Sequence, residues 1–401
     1  MIEFLKELWH DLRLVWKSKF KYMLILFVVW LYRVDFMPDT GGGLAKVIQV
    51  VSVLGLLYQM RKYSRNIMTV TYSYTNTAIK SCLWLYTYAL VSTLWAYMPS
   101  MAFFLSFQNL VMIMLMLWYF SQFRDFISME KGFIFFAMSI VIFESIFYRV
   151  FNPSVMIHFL SCASSGALCF VYCATEWMKA QEQKRKLFLR NAMIIAFILM
   201  LTSTSSGANA SALFGFALAC LLAGKTIWAT LIMGCALFLF LNQGMINEII
   251  LILAPGKTME IIESGNGRET IWEALLQNAN QRPIFGWGFA CIERTTPNVL
   301  QGQILSDAHS NYIGMYGSLG IVGLVLFISH IIFTTFTAFI NRVKPGYLGL
   351  FTAIAAATMN GYSYGFLSGK TCSITVIYFV LIVLTLLYRK VPYRKTKKDN
   401  E

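Results

Sequence analysis

The sequence predicts an all-α integral membrane protein of about twelve transmembrane helices with one large extracytoplasmic loop. Three observations carry that prediction. Hydrophobic residues make up 58% of the 401 positions and charged residues 13%, with a mean hydropathy of +0.61, which excludes an ordinary soluble domain. Apolar runs of roughly 20 residues, the length a helix needs to cross a hydrocarbon core, recur along the chain. The basic residues behind a formal net charge of +14 fall in short clusters between those runs, as they do in the loops of membrane proteins. A nucleic-acid partner would call for a concentrated basic face instead, so none is expected.

Taken in order, the spans are expected at about 20–36, 44–60, 78–98, 101–123, 132–151, 155–177, 188–204, 208–224, 226–243, 311–340, 346–367 and 371–389. The eighth is short and rich in Gly, Ala and Ser. An amphipathic basic stretch precedes the first span without a small-residue cleavage site, so that span is read as a retained helix and not a signal peptide. With the N-terminus inside, the other side of the membrane receives only Arg33, Lys46, Arg149, Lys257, Arg268, Arg282, Arg294 and Lys370 of the 33 lysines and arginines. The excess of positive charge marks the cytoplasmic side, so both termini are expected there and residues 244–310 outside. The chain reads as one polytopic domain, 1–401, with that loop inserted between spans nine and ten. A run such as Lys184-Arg185-Lys186 is expected to anchor on anionic lipid.

Seven cysteines, Cys82, Cys162, Cys169, Cys173, Cys220, Cys235 and Cys372, fall inside spans, and Cys291 alone lies in the large loop. That distribution offers neither a disulfide framework nor a metal site. Glu144 sits inside the fifth span, where a carboxyl can hold a proton or ion, or pair with Arg149. It is given no role.

The polar chemistry is concentrated between Glu263 and Gly323. Asn266, with Glu269 three residues on, forms a capping-box pattern opening a helix at Gly267. Ile271, Trp272, Leu275, Leu276 and Ala279 recur at helical spacing until Pro283. Arg268 and Trp272 then share a face. At that helix start a guanidinium and free N–H groups suit a diphosphate, although Arg268 can equally pair with Glu263, Glu269 or a lipid phosphate. Phe285-Gly-Trp-Gly-Phe289 is a turn in which backbone approaches a neighbour closely, flanked by rings that also suit a membrane interface. His309 precedes the tenth span, and an imidazole there serves as a general base or as a helix cap. Gly314, Gly317, Gly320 and Gly323 are expected to admit a neighbouring helix and so hold His309 rigidly.

Gly267-Arg-Glu-Thr-Ile-Trp272, Arg282-Pro-Ile-Phe-Gly-Trp-Gly-Phe289 and Ala308-His-Ser-Asn-Tyr312, followed by Gly317-Ser-Leu-Gly-Ile-Val-Gly323, resemble in order and spacing the O-antigen ligase/polymerase family of bacterial membrane glycosyltransferases. The resemblance implies a type C glycosyltransferase-like fold in the bacterial inner membrane. It implies an undecaprenyl-diphosphate-linked glycan as donor, a lipid A-core or glycan acceptor, and no metal or other cofactor. It assigns His309 the proton of the acceptor hydroxyl and Arg268 the charge on the departing diphosphate. Arg282, Arg294, Trp272 and Asn311 become candidates for substrate contacts. Two departures stand out. Thr202-Ser-Thr-Ser-Ser-Gly207 lacks the arginine that such proteins carry after a Thr-x-Ser pattern, leaving Arg282 or Arg294 to take its place, and Ser310 intervenes between His309 and Asn311. Ligase is the first reading, on the single large loop, and repeat-unit polymerase the second. A flippase or transporter would place charges at mid-membrane depth, and an inactive scaffold would fit the missing arginine.

Overall fold

The computed structural model describes residues 76–123, 125–150, 159–203, 205–241, 268–296, 308–369, 371–390 and 392–393, with Leu54 and Tyr58 apart from these. Its helices are α1 (Thr77–Val91), α2 (Pro99–Phe120), α3 (Phe126–Val150), α4 (Phe159–Lys179), α5 (Gln183–Leu201), α6 (Ser206–Leu222), α7 (Thr226–Leu241), α8 (Arg268–Ala279), α9 (Ile292–Thr295), α10 (Asn311–Ile340), α11 (Tyr347–Asn360) and α12 (Ser373–Leu387). Among the described residues there is no strand. Every expected span from the third onward has a helix at its place, while the first two spans and the Asn266 capping box lie outside the described residues. Pro99–Phe120, Phe126–Ile146 and Asn311–Ile340 are long and apolar enough to cross a membrane.

α12 sits at the centre. All fifteen of its residues are buried, against α2, α4 and α11, so a helix made mostly of Ile, Val, Leu and Phe needs no polar face. α4 packs along α5, α6 and α11, and α10 packs along α1. Exposed apolar side chains such as Ile194, Ile198, Phe333 and Phe336 cover the outside of the bundle, as expected of a surface that meets lipid.

One end of the bundle is fastened by a buried ion network. Arg185 donates to both oxygens of Glu130, at 2.6 and 2.7 Å, and to Glu176 at 2.7 Å. Glu176 also accepts the N–H groups of Gly346 and Gly349 at the start of α11, where the positive helix end favours a carboxylate. Arg185 is therefore not the lipid anchor that its charged run suggested. α5 begins five residues earlier than expected, at Gln183, which turns Arg185 inward against α3 and α4.

Two further expectations fail, both at the opposite end. α11 stops at Asn360 instead of continuing to 367, and residues 361–369 form turns and bends. α10 is broken at Gly320, whose φ of 67° and ψ of −166° are not helical. The glycines of α10 do not line up against one helix: a Cβ at Gly314 would meet Ser368, at Gly317 Ile292, and at Gly320 the Ile284 carbonyl.

Candidate active site

The break in α10 frees backbone groups that, where buried, must find partners within the protein. The Arg282–Phe289 loop supplies most of them. Trp287 N–H donates to the Gly317 carbonyl at 3.1 Å, Gly288 N–H to Ser318 at 2.8 Å, and Ile321 N–H donates back to Pro283 at 2.8 Å. Tyr88 hydroxyl donates to the Leu319 carbonyl. Gly286 and Gly288 have φ of 68° and 97°, and a Cβ on either would lie within 2.6 Å of the Ser318 backbone or of Ala96. The close backbone approach expected of Phe-Gly-Trp-Gly-Phe is thus made to a broken helix and to the α1–α2 connection.

α8 lies over this platform. Ile271, Leu275 and Ala279 form its buried face with Ile292 and Ala308, while Leu276 is exposed. Trp272 indole N–H donates to the Ala308 carbonyl at 3.0 Å, and its ring meets Tyr362 edge-on at 5.5 Å. Asn278 ties α8 to α9 through Thr295 at 2.8 Å. Tyr316 of α10 donates to Asn280 at 2.8 Å.

The chain is fixed on either side of His309. Ala308 is held by Trp272, and Asn311 N–H donates to the Gly361 carbonyl at 2.8 Å. His309 itself has a φ of 52°, a left-handed conformation that costs a non-glycine residue about 1–3 kcal/mol and that clusters at functional sites. Ser310, not His309, is the N-cap of α10. Burial, and then the positive charge of Arg268, hold the His309 imidazole down at about 4. The ring is therefore neutral at pH 7, and the guanidinium one turn from Trp272 acts on it through space.

The remaining sequence candidates have other partners. Asn311 is buried and its carboxamide oxygen accepts from Leu367 N–H at 2.7 Å, joining α10 to the 361–369 segment. Arg282 is exposed and stacks on Trp287 at 4.2 Å. Arg294 is half-buried in α9 and acts on the Cys291 thiol. Sequence reasoning missed the 361–369 segment, because Tyr362, Phe366 and Leu367 kept the run apolar. The Asn360-Gly361 pair was the available turn signal.

A groove of about 850 Å³ opens beside this end between α6, α10 and α11. It begins at Gly207, Tyr362 and Ser363 and reaches Phe339 and Phe351 near the far end of α10. Its sides are Phe214, Ile331, Phe336 and Met359. Among the described residues, no group of His, Cys, Asp and Glu is arranged to hold a metal.

In comparison with known proteins, residues 191–328 match the family model described as O-antigen ligase. The match runs from Asn191 within α5 to beyond the break in α10, and so contains α8, the glycine-rich loop and His309. No curated protein matches the chain.

Proposed function

With residues 191–328 identified as a domain of the O-antigen ligase family, we propose that the chain moves a glycan from undecaprenyl diphosphate to an acceptor hydroxyl at the extracytoplasmic face, the acceptor being lipid A-core. What supports the reading is that the charge of Arg268, at the start of α8, acts on the His309 imidazole, while Trp272 of the same helix meets Tyr362 at the head of a long apolar groove. The groove suits a polyprenyl tail, since it is lined by apolar side chains and continues along the membrane-crossing length of α10.

In the reaction, the acceptor oxygen attacks the anomeric carbon while the bond to the diphosphate oxygen breaks, inverting the configuration. The acceptor proton passes to the His309 imidazole, and the bond's electron pair leaves with the lipid diphosphate beside Arg268. A fixed guanidinium is suited to charge that develops during the reaction, because little reorganisation is required. The low pKa of His309 has a consequence for this step. A neutral ring accepts a proton only if the resulting cation is tolerated, and Arg268 opposes it. A bound diphosphate offsets the Arg268 charge and raises the imidazole's basicity when the donor is in place. The base is weak in the empty site and stronger in the loaded one.

The test is transfer by the purified chain in vesicles that contain an undecaprenyl-diphosphate-linked glycan and a lipid A-core acceptor. The wild type forms the glycosylated acceptor, and His309→Asn, which suits the left-handed backbone, and Arg268→Ala do not. Full product from both variants would overturn the proposal. Elongated lipid-linked glycan without transfer to the acceptor would replace ligase with polymerase.

A further inference from the structure

A carboxyl buried in the bundle takes no part in the reaction above. We propose that Glu144 of α3, Ser161 and Ser165 of α4 and Ser373 of α12 form a binding site for a monovalent cation, sodium. The cluster shares no residue with the groove or with α8.

All four residues are buried, and Glu144 is 0% exposed. The Ser161 hydroxyl donates to Glu144 Oε1 at 3.2 Å, the Ser161 and Ser373 hydroxyls bond to each other, and Ser165 donates to Ser373 at 2.8 Å. Oxygen-bearing side chains from three helices thus come together. Glu144 Oε2 belongs to the same carboxyl, yet it has no hydrogen-bond partner. Among the described residues no lysine, arginine or histidine bonds to Glu144. The Arg149 side chain lies outside the described ones, and at five residues' spacing it is not a neighbour of Glu144 on the helix surface.

Neither protonation state of Glu144 is satisfied by the protein alone. Ionised, it is a buried charge without a cation. Protonated, it adds a donor that finds no acceptor at Oε2 and displaces the Ser161 hydrogen at Oε1. A cation against Oε2 removes the deficit of the ionised form. Carboxylate and hydroxyl oxygens suit a hard ion, and the four residues offer no thiol or imidazole to a softer metal. One negative charge calls for one positive charge, since a divalent ion would leave an excess in the interior. The close spacing of the oxygens favours sodium over the larger potassium.

The position and its supports fit such a site. Glu144 lies within Phe126–Ile146, a stretch long and apolar enough to cross a membrane, where an ionisable side chain is costly and marks ion or proton sites. The start of α12 is held by contacts outside the cluster: Thr371 donates to Asn109 of α2 at 2.7 Å, and Cys372 N–H to Thr375 at 3.1 Å. Ser373 is therefore in place before an ion arrives.

The experiment follows the thermal unfolding midpoint of the purified full chain in detergent while sodium chloride or potassium chloride replaces choline chloride at constant ionic strength, and it measures bound radioactive sodium directly. In the wild type sodium binds and raises the midpoint saturably, whereas potassium and choline do not. Glu144→Gln, which keeps the shape of the side chain, loses both the binding and the shift. Ser373→Ala is expected to raise the half-saturating sodium concentration about 10-fold. Should Glu144→Gln fail to fold, Ser161→Ala and Ser165→Ala give the same readout as Ser373→Ala. Equal midpoints in the three salts with no bound sodium, or sodium binding that persists unchanged in the folded variants, overturns the site.

Discussion

The two ends of the bundle treat polar groups in opposite ways. At the Arg185 end, a guanidinium, two carboxylates, two tyrosine hydroxyls and two backbone N–H groups bond to one another and are buried. At the His309 end lie a left-handed histidine, a broken helix and, in Asn360, a buried amide nitrogen without a partner. The first end holds α3, α4, α5, α11 and α12 together. The second carries strain that only the surrounding contacts maintain, a condition typical of a site that waits for a ligand. On the proposed function, stability and chemistry are separated along the bundle.

The separation can be broken from either side. The largest effect on rate is expected from His309→Asn, since losing a positioned base costs about 10²–10⁴-fold. Arg268→Ala should cost about 10²–10³-fold by removing charge stabilisation. Both should leave the thermal unfolding midpoint nearly unchanged, and a large fall in midpoint would show that this end is structural after all. At the other end, Arg185→Met leaves two carboxylates buried without their cation and should destabilise the chain by about 3–5 kcal/mol, with turnover per folded molecule preserved. Adding Glu130→Gln should recover part of that loss. Lost turnover in folded Arg185→Met would mean that the two ends are coupled.

Gly320→Ala sharpens the comparison at the joint. Its Cβ would lie 2.1 Å from the Ile284 carbonyl at a φ of 67°, so it should cost at least about 1–3 kcal/mol and slow transfer as well, because the loop under α8 moves. Unchanged stability would show that the break is dispensable. The smallest effect is expected from Trp272→Phe, which keeps a ring against Tyr362 but loses the bond to Ala308. About 1 kcal/mol in stability and a fall in turnover with little change in KM are expected. A change confined to KM would make Trp272 a substrate contact.

Helix locations were legible because runs of twenty apolar residues have few other uses, and each expected span from the third onward has a helix at its place. The order of Arg268, Trp272 and His309 along the chain was legible too. What escaped were features decided by distant partners. Glycines three apart look alike whether they admit a helix or break one, and the break at Gly320 depends on carbonyls of the Arg282–Phe289 loop. Arg185 looked like a surface charge because Glu130 and Glu176 belong to other helices. Asn360, Tyr362 and Ser363 were hidden inside an apolar run whose helix ends at an Asn-Gly pair. The imidazole's environment was invisible for the same reason, since the ring's burial and the charge beside it arise only on folding.

The most direct test of the shared site is the titration of His309 by nuclear magnetic resonance in chain carrying labelled histidine. In the free wild type the midpoint should lie near 4, below the ordinary value of about 6.5. Because the folded value is depressed, folding opposes protonation between about pH 6.5 and 4, and stability should decline as the pH falls through that window. Arg268→Ala should raise the midpoint, and undecaprenyl diphosphate should raise it in the wild type but less in Arg268→Ala. A midpoint that ignores both the substitution and the lipid would contradict the account, because the imidazole and the guanidinium would then not be facing the same diphosphate.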